Sequence, residues 1–250
     1  MKTIVVIPTY NEVESIGEIV DSLKHSYPNL SILVVDDNSL DGTASVALAA
    51  GAQVLHRSEK QGLGLAYLDA FQRIINGDYG HFERIIEMDG DGSHQIASIQ
   101  AFLDQKADLV IGARWIQGGS VVNWPWHRRS LSRFGNLMAR VSTGMPFKDS
   151  TSGFRCFHID LLKALVTELE NEPVLSGYGF QIDLVRRSWQ LNANIVEIPI
   201  QFIERRAGRS KMGLPIVREA MARLAMWWIS RWFKRIAQRR DRKSTRLNSS

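Results

Sequence analysis

Two aspartates separated by a single glycine, Asp89-Gly90-Asp91, close an apolar run in the stretch IIEMDGDGSH, residues 85–94. Carboxylates this close repel each other unless a cation or water lies between them. In an extended segment side chains alternate, so both aspartates would face one side. Two hard oxygen ligands on one side suit Mg²⁺ or Mn²⁺ bridging a diphosphate. Gly90 reads as clearance for a bulky ligand against the backbone. His94 lies close enough to contribute, although a lone histidine here more often caps the next helix or orients a neighbour. A single aspartate at a strand end is ordinarily a turn or helix cap. Three such clusters are less easily explained that way: PTYNE places Tyr10, Asn11 and Glu12 after one apolar run, VVDDNSLDGT places Asp36 and Asp37 after a second, and MDGDGSH places Asp89 and Asp91 after a third.

These clusters need a scaffold that carries them to one edge. Apolar runs at 3–9, 31–37, 52–57, 84–91 and 107–114 read as strands, and amphipathic runs at 12–25, 43–51, 62–76 and 95–105 read as helices. Short β-rich runs alternating with helices, without hairpin signals, predict parallel βαβ units and an open α/β sheet covered on both faces. Ligands of such sheets bind beyond the C-terminal strand ends, where the three acidic clusters fall. After residue 114 the pattern loosens. WIQGGSVVNWPWHRRS reads as a loop, and 132–144 as a helix with Leu131, Phe134, Leu137, Met138 and Val141 sharing a side. A strand is expected at 153–160, helices at 160–169 and 180–192, and one long strand at 194–206.

At 250 residues the chain fits one large α/β domain, or a domain with an appendage. Its one cysteine, Cys156, excludes an intramolecular disulfide. The opening MKTIVVIPTYNE reads as a first strand rather than a signal peptide. No apolar stretch approaches the roughly 20 residues that span a bilayer. No G-x-G-x-x-G follows the first strand, and there is neither a Walker lysine motif nor a serine nucleophile motif. GLGLA at 62–66 is too little alone for a dinucleotide site, which disfavours dehydrogenase and P-loop chemistry.

Eight segments occur in order: VVIPTYNE, VVDDNSLDGT, KQGLGLAY, MDGDGSH, VIGARW, DSTSGFRCF, YGFQID and ERRAGRSKM. Together, across about residues 3 to 218, they resemble the polyprenyl-phosphate (dolichol-phosphate) mannose synthases, inverting glycosyltransferases of GT-A fold. The resemblance implies a Rossmann-like, mostly parallel central sheet with helices on both faces, to which the residues themselves add a C-terminal amphipathic helix. It also implies a GDP-mannose donor, Mg²⁺ or Mn²⁺, and a lipid-phosphate acceptor. Carried over by motif, Pro8, Tyr10 and Glu12 line the nucleotide pocket, with Asp37 on the ribose or base and Gln61 in a nearby loop. Asp89 and Asp91 bind metal and diphosphate, and Ser93 stands where some relatives place a further polar ligand. Arg114 faces the sugar and phosphates, while the loop from Arg129 to Arg133 and the cluster Arg205, Ser210 and Lys211 hold phosphates. The catalytic set implied is Asp91, Arg114, Arg129, Arg205 and Lys211. Gly90 departs from relatives that often carry alanine there.

The residues support this chemistry on their own terms. Transfer to an alcohol usually needs a carboxylate base. A phosphomonoester, with a second pKa of roughly 6, is already an anion and needs cations instead. Arg114, Arg128, Arg129, Arg133, Arg205, Arg206, Arg209 and Lys211 supply them, and the acidic base followed by Q-x-x-R-W used by other members of the superfamily is missing. Direct inversion at the anomeric carbon is the expected reaction. UDP-glucose-dependent glucosyl transfer to the same acceptor is the alternative.

Charge is uneven, with eleven Lys/Arg against one acid, Glu219, between Arg205 and Arg240. Within 216–236, Val217, Ala220, Met221, Leu224, Trp228 and Trp232 recur at helical spacing, with Arg223, Ser230, Lys234 and Arg235 mainly opposite. Tryptophans beside cations suit a helix lying in the headgroup layer, where anionic lipid attracts each cation by roughly 1 kcal/mol; packing on the core is the alternative. The expected division is a catalytic domain at 1–213, a basic interfacial helix at 214–240, and a disordered or non-native tail at 241–250. The expected location is peripheral, on the cytoplasmic face of a membrane, with or without a membrane-protein partner. No nucleic-acid motif accompanies the basic segment, so nucleic acid is not an expected partner.

Overall fold

A computed structural model of the chain describes residues 1–170, 174–175, 177–204 and 218–233. The first half alternates strand and helix: β1 (Thr3–Thr9), α1 (Val13–Ser26), β2 (Ser31–Asp36), α2 (Thr43–Ala49), β3 (Gln53–His56), α3 (Leu63–Asn76), β4 (Arg84–Glu87), α4 (Ile99–Leu103) and β5 (Leu109–Ala113). There follow β6 (Ser120–Val122), α5 (Trp126–Thr143), β7 (Arg155–His158), α6 (Ile159–Leu169), α7 (Gly177–Gln190), β8 (Ile195–Pro199) and β9 (Gln201–Ile203). A further helix, α8, spans 218–233. No helix among the described residues is long and apolar enough to cross a membrane.

Seven strands form one sheet in the order β3-β2-β1-β4-β7-β5-β8. The inner strands are buried on both faces, which is why they read as unbroken apolar runs rather than alternating ones. Ile4 and Val6 of β1 join a core with Tyr67 and Phe71 of α3, Leu165 of α6 and Leu184 of α7. Val5 and Ile7 point the other way, into a core with Ile16 and Leu23 of α1, Ala47 of α2 and Phe102 of α4. The fold is the mostly parallel α/β sheet with helices on both faces that the sequence predicts.

The structure departs from the expected elements in five places. β7 runs antiparallel to both its neighbours, β4 and β5. This delivers the segment before β7, residues 149–154, to the edge where β1, β2, β4 and β5 end. The region expected as a loop at 115–130 contains β6 and the first turn of α5, which starts directly after Pro125; proline is tolerated at a helix start because it lacks only an N–H that would be unpaired. The long strand at 194–206 is broken. β8 ends at Pro199, which has no N–H for a ladder, and Ile200 turns into the core. β9 then pairs with β6 in a separate two-stranded sheet. The strand at 84–91 stops at Glu87, and Gly90 and Asp91 lie in a turn. In α8, Leu224 is buried in the core beside the packed Trp227, so the outward face does not include it.

Candidate active site

The C-terminal ends of β2, β1 and β4 lie side by side, and each carries one acidic cluster. At β2, Asp36 accepts the Thr9 hydroxyl through Oδ1 (3.2 Å) and the Ser39 N–H through Oδ2 (3.0 Å), an Asx turn that starts the next loop. Asp37, expected at the ribose or base, is buried and engaged within the protein. Its carboxylate accepts Arg57 Nη1 (2.5 Å) and the backbone N–H groups of Gln61 (3.4 Å) and Gly62 (3.1 Å). The Gln61 side chain accepts Arg57 Nη2 at 2.5 Å and donates to Glu59 at 2.7 Å. Asp37 and Arg57 therefore hold the 57–62 loop in place. Arg57 went unrecognised in the sequence because its only signal is a cation at the end of β3.

Beside this loop, the Tyr10 ring carries Lys60 Nζ 3.8 Å from its centroid. Pro8, half-buried, is the last residue but one of β1. The Glu12 backbone N–H donates to Thr43 Oγ1 at 2.9 Å, and Ser15 Oγ spans from α1 to the Gly90 carbonyl at 2.6 Å. The first cluster is thus tied to the DGD turn. Burial alone would raise the pKa of Asp41, but hydrogen bonds from Thr43 and Val13 outweigh it and hold the carboxylate ionised.

The DGD turn is pinned from several sides. A Cβ at Gly90 would stand 3.0 Å from Thr9 Cγ2, so the glycine lets the turn pack closely against β1. A Cβ at Gly153 would stand 3.1 Å from Asp89 Oδ1, so the 149–154 segment lies directly against that carboxylate. Asp91 Oδ1 accepts the Ser93 N–H at 3.0 Å. His94 Nδ1 accepts the backbone N–H of Asp89 at 3.1 Å, which leaves the ring proton on Nε2, 3.6 Å from Asp89 Oδ2. The ring stacks on Phe154 at 4.7 Å and meets Phe202 edge-on at 5.3 Å. Burial pushes its pKa down, which favours the neutral ring, and Nε2 makes no hydrogen bond among the described residues. Of the roles open to it, His94 takes that of orienting a neighbour.

Behind Asp89 lies a buried polar group. Glu87 faces Arg155 across the β4–β7 pair, and both are fully buried. Arg155 donates to the carbonyls of Gln181 (2.8 Å) and Ser150 (2.6 Å). It thereby joins β7, α7 and the segment before β7. Glu87 has no hydrogen bond of normal geometry among the described residues. Desolvation pushes its pKa up to about 7, softened by the nearby Arg155 guanidinium and Gln181 amide.

On the other side, β9 connects the turn to a second feature. The Ile203 N–H donates to the Ser93 carbonyl at 3.1 Å, and β9 pairs with β6. Next to β6 is a cleft of about 310 Å³ whose lining includes Arg114, Trp115, Val121, Arg129 and Arg133. Arg114, expected to face the sugar and phosphates, and Arg129 and Arg133, expected to hold phosphate, therefore line one cleft. Their states differ. Arg114 is buried, and Asp149 grips it through Nε (2.8 Å), Nη2 (2.6 Å) and its own backbone N–H (2.7 Å), with Thr151 Oγ1 2.9 Å from Nη2. Its charge is matched rather than presented bare. Arg133 lies over Trp115, 4.7 Å from the ring centroid, and Arg129 is exposed with one contact to the Val121 carbonyl at 3.4 Å. Arg128 pairs with Glu204 and covers Trp124. Arg205, Ser210 and Lys211 lie outside the described residues.

An acidic turn and a basic cleft at the C-terminal edge of a mostly parallel sheet can hold a nucleotide diphosphate next to a second anion. Residues 4–168 match the family described as "Glycosyl transferase family 2". The chain belongs to glycosyltransferase family 2. Two relatives align with nearly all of it. An "Undecaprenyl-phosphate mannosyltransferase" of Micrococcus luteus is 40% identical over 241 residues, covering 93% of this chain and 96% of that protein. A "Polyprenol monophosphomannose synthase" of Mycolicibacterium smegmatis is 40% identical over 237 residues, covering 91% and 87%. Among solved structures, glucosyl-3-phosphoglycerate synthase of Mycobacterium tuberculosis with phosphoglyceric acid superposes with a TM-score of 0.67 at 19% identity, over 90% of this chain and 79% of that one. The same synthase with Mn²⁺ and uridine-diphosphate-glucose gives 0.67 at 18% identity, over 90% and 78%. These structural likenesses speak to the fold.

The site of this family 2 glycosyltransferase fits a divalent ion of a particular kind. Among the described residues no group of three or more His, Cys, Asp or Glu forms a closed metal cage. Mg²⁺-type ions are commonly held by one or two carboxylates, with water and substrate phosphate completing the shell. Asp89 and Asp91 supply that number, and both are hard oxygen donors.

Proposed function

We propose that this glycosyltransferase transfers mannose from GDP-mannose to a polyprenyl monophosphate, inverting the anomeric carbon. The observation that carries the reading is the acidic turn beside an arginine-walled cleft that has no carboxylate among its described lining residues. The two mannosyl-transferring relatives support the sugar and the lipid-phosphate acceptor. A phosphomonoester needs charge neutralisation more than a base, because it is already ionised near neutral pH.

In this reading Pro8, Tyr10 and Glu12 line the nucleotide pocket, and Asp37 and Gln61 shape the loop that walls it. Asp89 and Asp91 hold Mg²⁺ or Mn²⁺ with the donor diphosphate, and His94 keeps Asp89 in place. The ion, when bound, neutralises charge on the departing diphosphate. Arg129 and Arg133 take the acceptor phosphate, joined by Arg205, Ser210 and Lys211. Arg114, fixed by Asp149, keeps its place in the cleft wall without moving, the preorganisation that favours a charged transition state. Residues 1–213 perform catalysis, the helix within 214–240 meets the membrane, and 241–250 take no part. The enzyme works peripherally at the cytoplasmic face, and a membrane-protein partner can be tested by reconstitution.

The test is incubation with labelled GDP-mannose and a short polyprenyl phosphate. Metal-dependent, lipid-extractable label is expected, with none from the free polyprenol. Efficient transfer to the free alcohol would reveal a missed base, and preference for UDP-glucose in a donor panel would overturn the donor assignment.

A further inference from the structure

One short segment, 149–154, joins the two halves of the site. At one end Asp149 holds Arg114 in the cleft wall through Nε (2.8 Å) and Nη2 (2.6 Å). At the other, Gly153 lies against the acidic turn, so close that a Cβ there would stand 3.1 Å from Asp89 Oδ1. The segment is neither helix nor strand, so no ladder of its own fixes its shape.

Two groups behind it do. Glu197 of β8 accepts the N–H groups of Lys148 and Asp149, both at 2.8 Å, and ties the first end to the sheet. Arg155 ties the middle. Its Nη2 donates to the Ser150 carbonyl at 2.6 Å, and its Nη1 to the Gln181 carbonyl of α7 at 2.8 Å. The planar guanidinium thus bridges two backbone carbonyls from distant parts of the chain, which a lysine ammonium does not reproduce.

The surroundings of Arg155 argue against a role in stability alone. Arg155, Tyr67, Glu87 and Ser150 are fully buried, and Gln181 nearly so. Tyr67 Oη, both Glu87 oxygens, Ser150 Oγ, Arg155 Nε and the Gln181 amide lack a hydrogen bond of normal geometry among the described residues. Buried polar groups bonded this sparsely are costly, and apolar replacement of a buried ion pair is often neutral or stabilising. What the arginine supplies in return is geometry: it faces Glu87 across the β4–β7 pair on one side and lies in the field of Asp149 on the other.

We infer that Arg155 is a positioning residue for both halves of the site. By bracing the 149–154 segment from behind, it sets Asp89 of the acidic turn and Arg114 of the cleft wall at a fixed separation. The inference rests on the proposed mannosyl transfer and adds the residue that, touching neither ligand, registers the donor diphosphate against the acceptor phosphate.

The test compares Arg155→Lys with the double variant Glu87→Gln/Arg155→Gln in the full chain. Lysine keeps a cation opposite Glu87 but loses the fork, and the double variant removes both charges without leaving one unpaired. Leu165→Ala, a cavity on α6, which lends no side chain to the turn or the cleft, is the destabilised control. Each Arg155 variant that unfolds cooperatively in urea should bind Mn²⁺ roughly ten-fold or more weakly by calorimetry, the loss typical when a group orienting a metal ligand is removed. Its KM for a short, water-soluble prenyl phosphate should rise as well. Leu165→Ala should leave both values at the parental level. A folded Arg155 variant that keeps both values, changes only one of them, or changes them no more than Leu165→Ala does would overturn the inference. If neither variant folds, Gly153→Ala decides. Its φ lies outside the left-handed region, so the contact with Asp89 is what the new methyl tests. A braced segment cannot retreat, so Asp89 must give way and Mn²⁺ binding should again weaken by about ten-fold; parental affinity would show that the segment yields, and the inference would fall. A parent that binds Mn²⁺ but transfers no mannose to the soluble acceptor would refute the functional reading, and the Mn²⁺ affinities would still decide whether Arg155 positions the turn.

Discussion

Asp89 is held from two sides: His94 takes its backbone N–H and turns Nε2 toward its carboxylate, while Gly153 lets the segment before β7 lie against Oδ1. If Asp89 and Asp91 share a divalent ion with the donor, Asp89→Asn or Asp91→Asn should cost several kcal/mol of transition-state stabilisation. EDTA should abolish turnover in the parent. Both substitutions leaving full activity in chelator would exclude the metal assignment. His94→Phe keeps the ring stacked between Phe154 and Phe202 but removes both nitrogens. Partners that orient a metal ligand are typically worth 10–100-fold in affinity, so Mn²⁺ binding measured by calorimetry should weaken by about that factor. Equal affinity would reduce His94 to packing. The carboxylates were legible because two of them one residue apart have few structural uses. The role of His94 was not, since it depends on Phe154 and Phe202, far along the chain, and on which ring nitrogen meets a backbone N–H.

The element that shapes the site is the antiparallel strand β7, and Arg155 at its start carries much of the constraint. Glu87 opposite it is buried, and its pKa rises from 4.5 to about 7 on folding. The folded state therefore binds more protons than the unfolded chain across that window. The corresponding stability is present in full below about 4.5 and is lost as pH rises through about 7. Glu87→Gln should remove this slope, and at pH 8 it should be more stable than the parent by on the order of 3 kcal/mol at most. Urea midpoints at pH 5 and pH 8 test this, and a slope that survives the substitution would assign the pH dependence to another group. The strands and helices of the first half were legible because each is a single continuous run of one period. β7 looked like any other buried strand, because its direction is set by where α5 delivers the chain and not by its own residues. The break at Pro199 carried a signal in the proline, whereas the pairing of β9 with β6 joined a segment read as strand to one read as loop. The side of α5 that faces outward could not be told from spacing, since periodicity gives a stripe but not the direction it points.

Across the whole molecule, positive charge and exposed apolar surface coincide on α5 and α8, while α1 and α2 cover the opposite face of the sheet. α8 serves two purposes, and the structure separates them. Leu224 is buried in the core and Trp227 packs beside it under Arg186, whose guanidinium lies 4.9 Å from the ring centroid. Trp228 and Trp232, each 50% exposed, point away. Deleting α8 would therefore open the core, and a loss of activity would say little about membranes. Substitution at the outward face is the cleaner experiment. Trp228→Glu/Trp232→Glu should leave the urea midpoint and GDP-mannose binding close to the parent, because neither side chain is buried and the acidic clusters lie on other elements. Binding to anionic vesicles should fall, and transfer to long, membrane-embedded acceptors should fall with it. Raising the salt should weaken vesicle binding of the parent, because screening shortens the reach of the arginines to about 10 Å at 0.1 M and about 3 Å at 1 M. Leu224→Glu serves as the contrasting variant. It places an unpaired charge in the core, and it should destabilise the fold by several kcal/mol whatever lipid is present. If the tryptophan pair can be replaced with vesicle binding and membrane-acceptor turnover intact, α8 is a core helix alone.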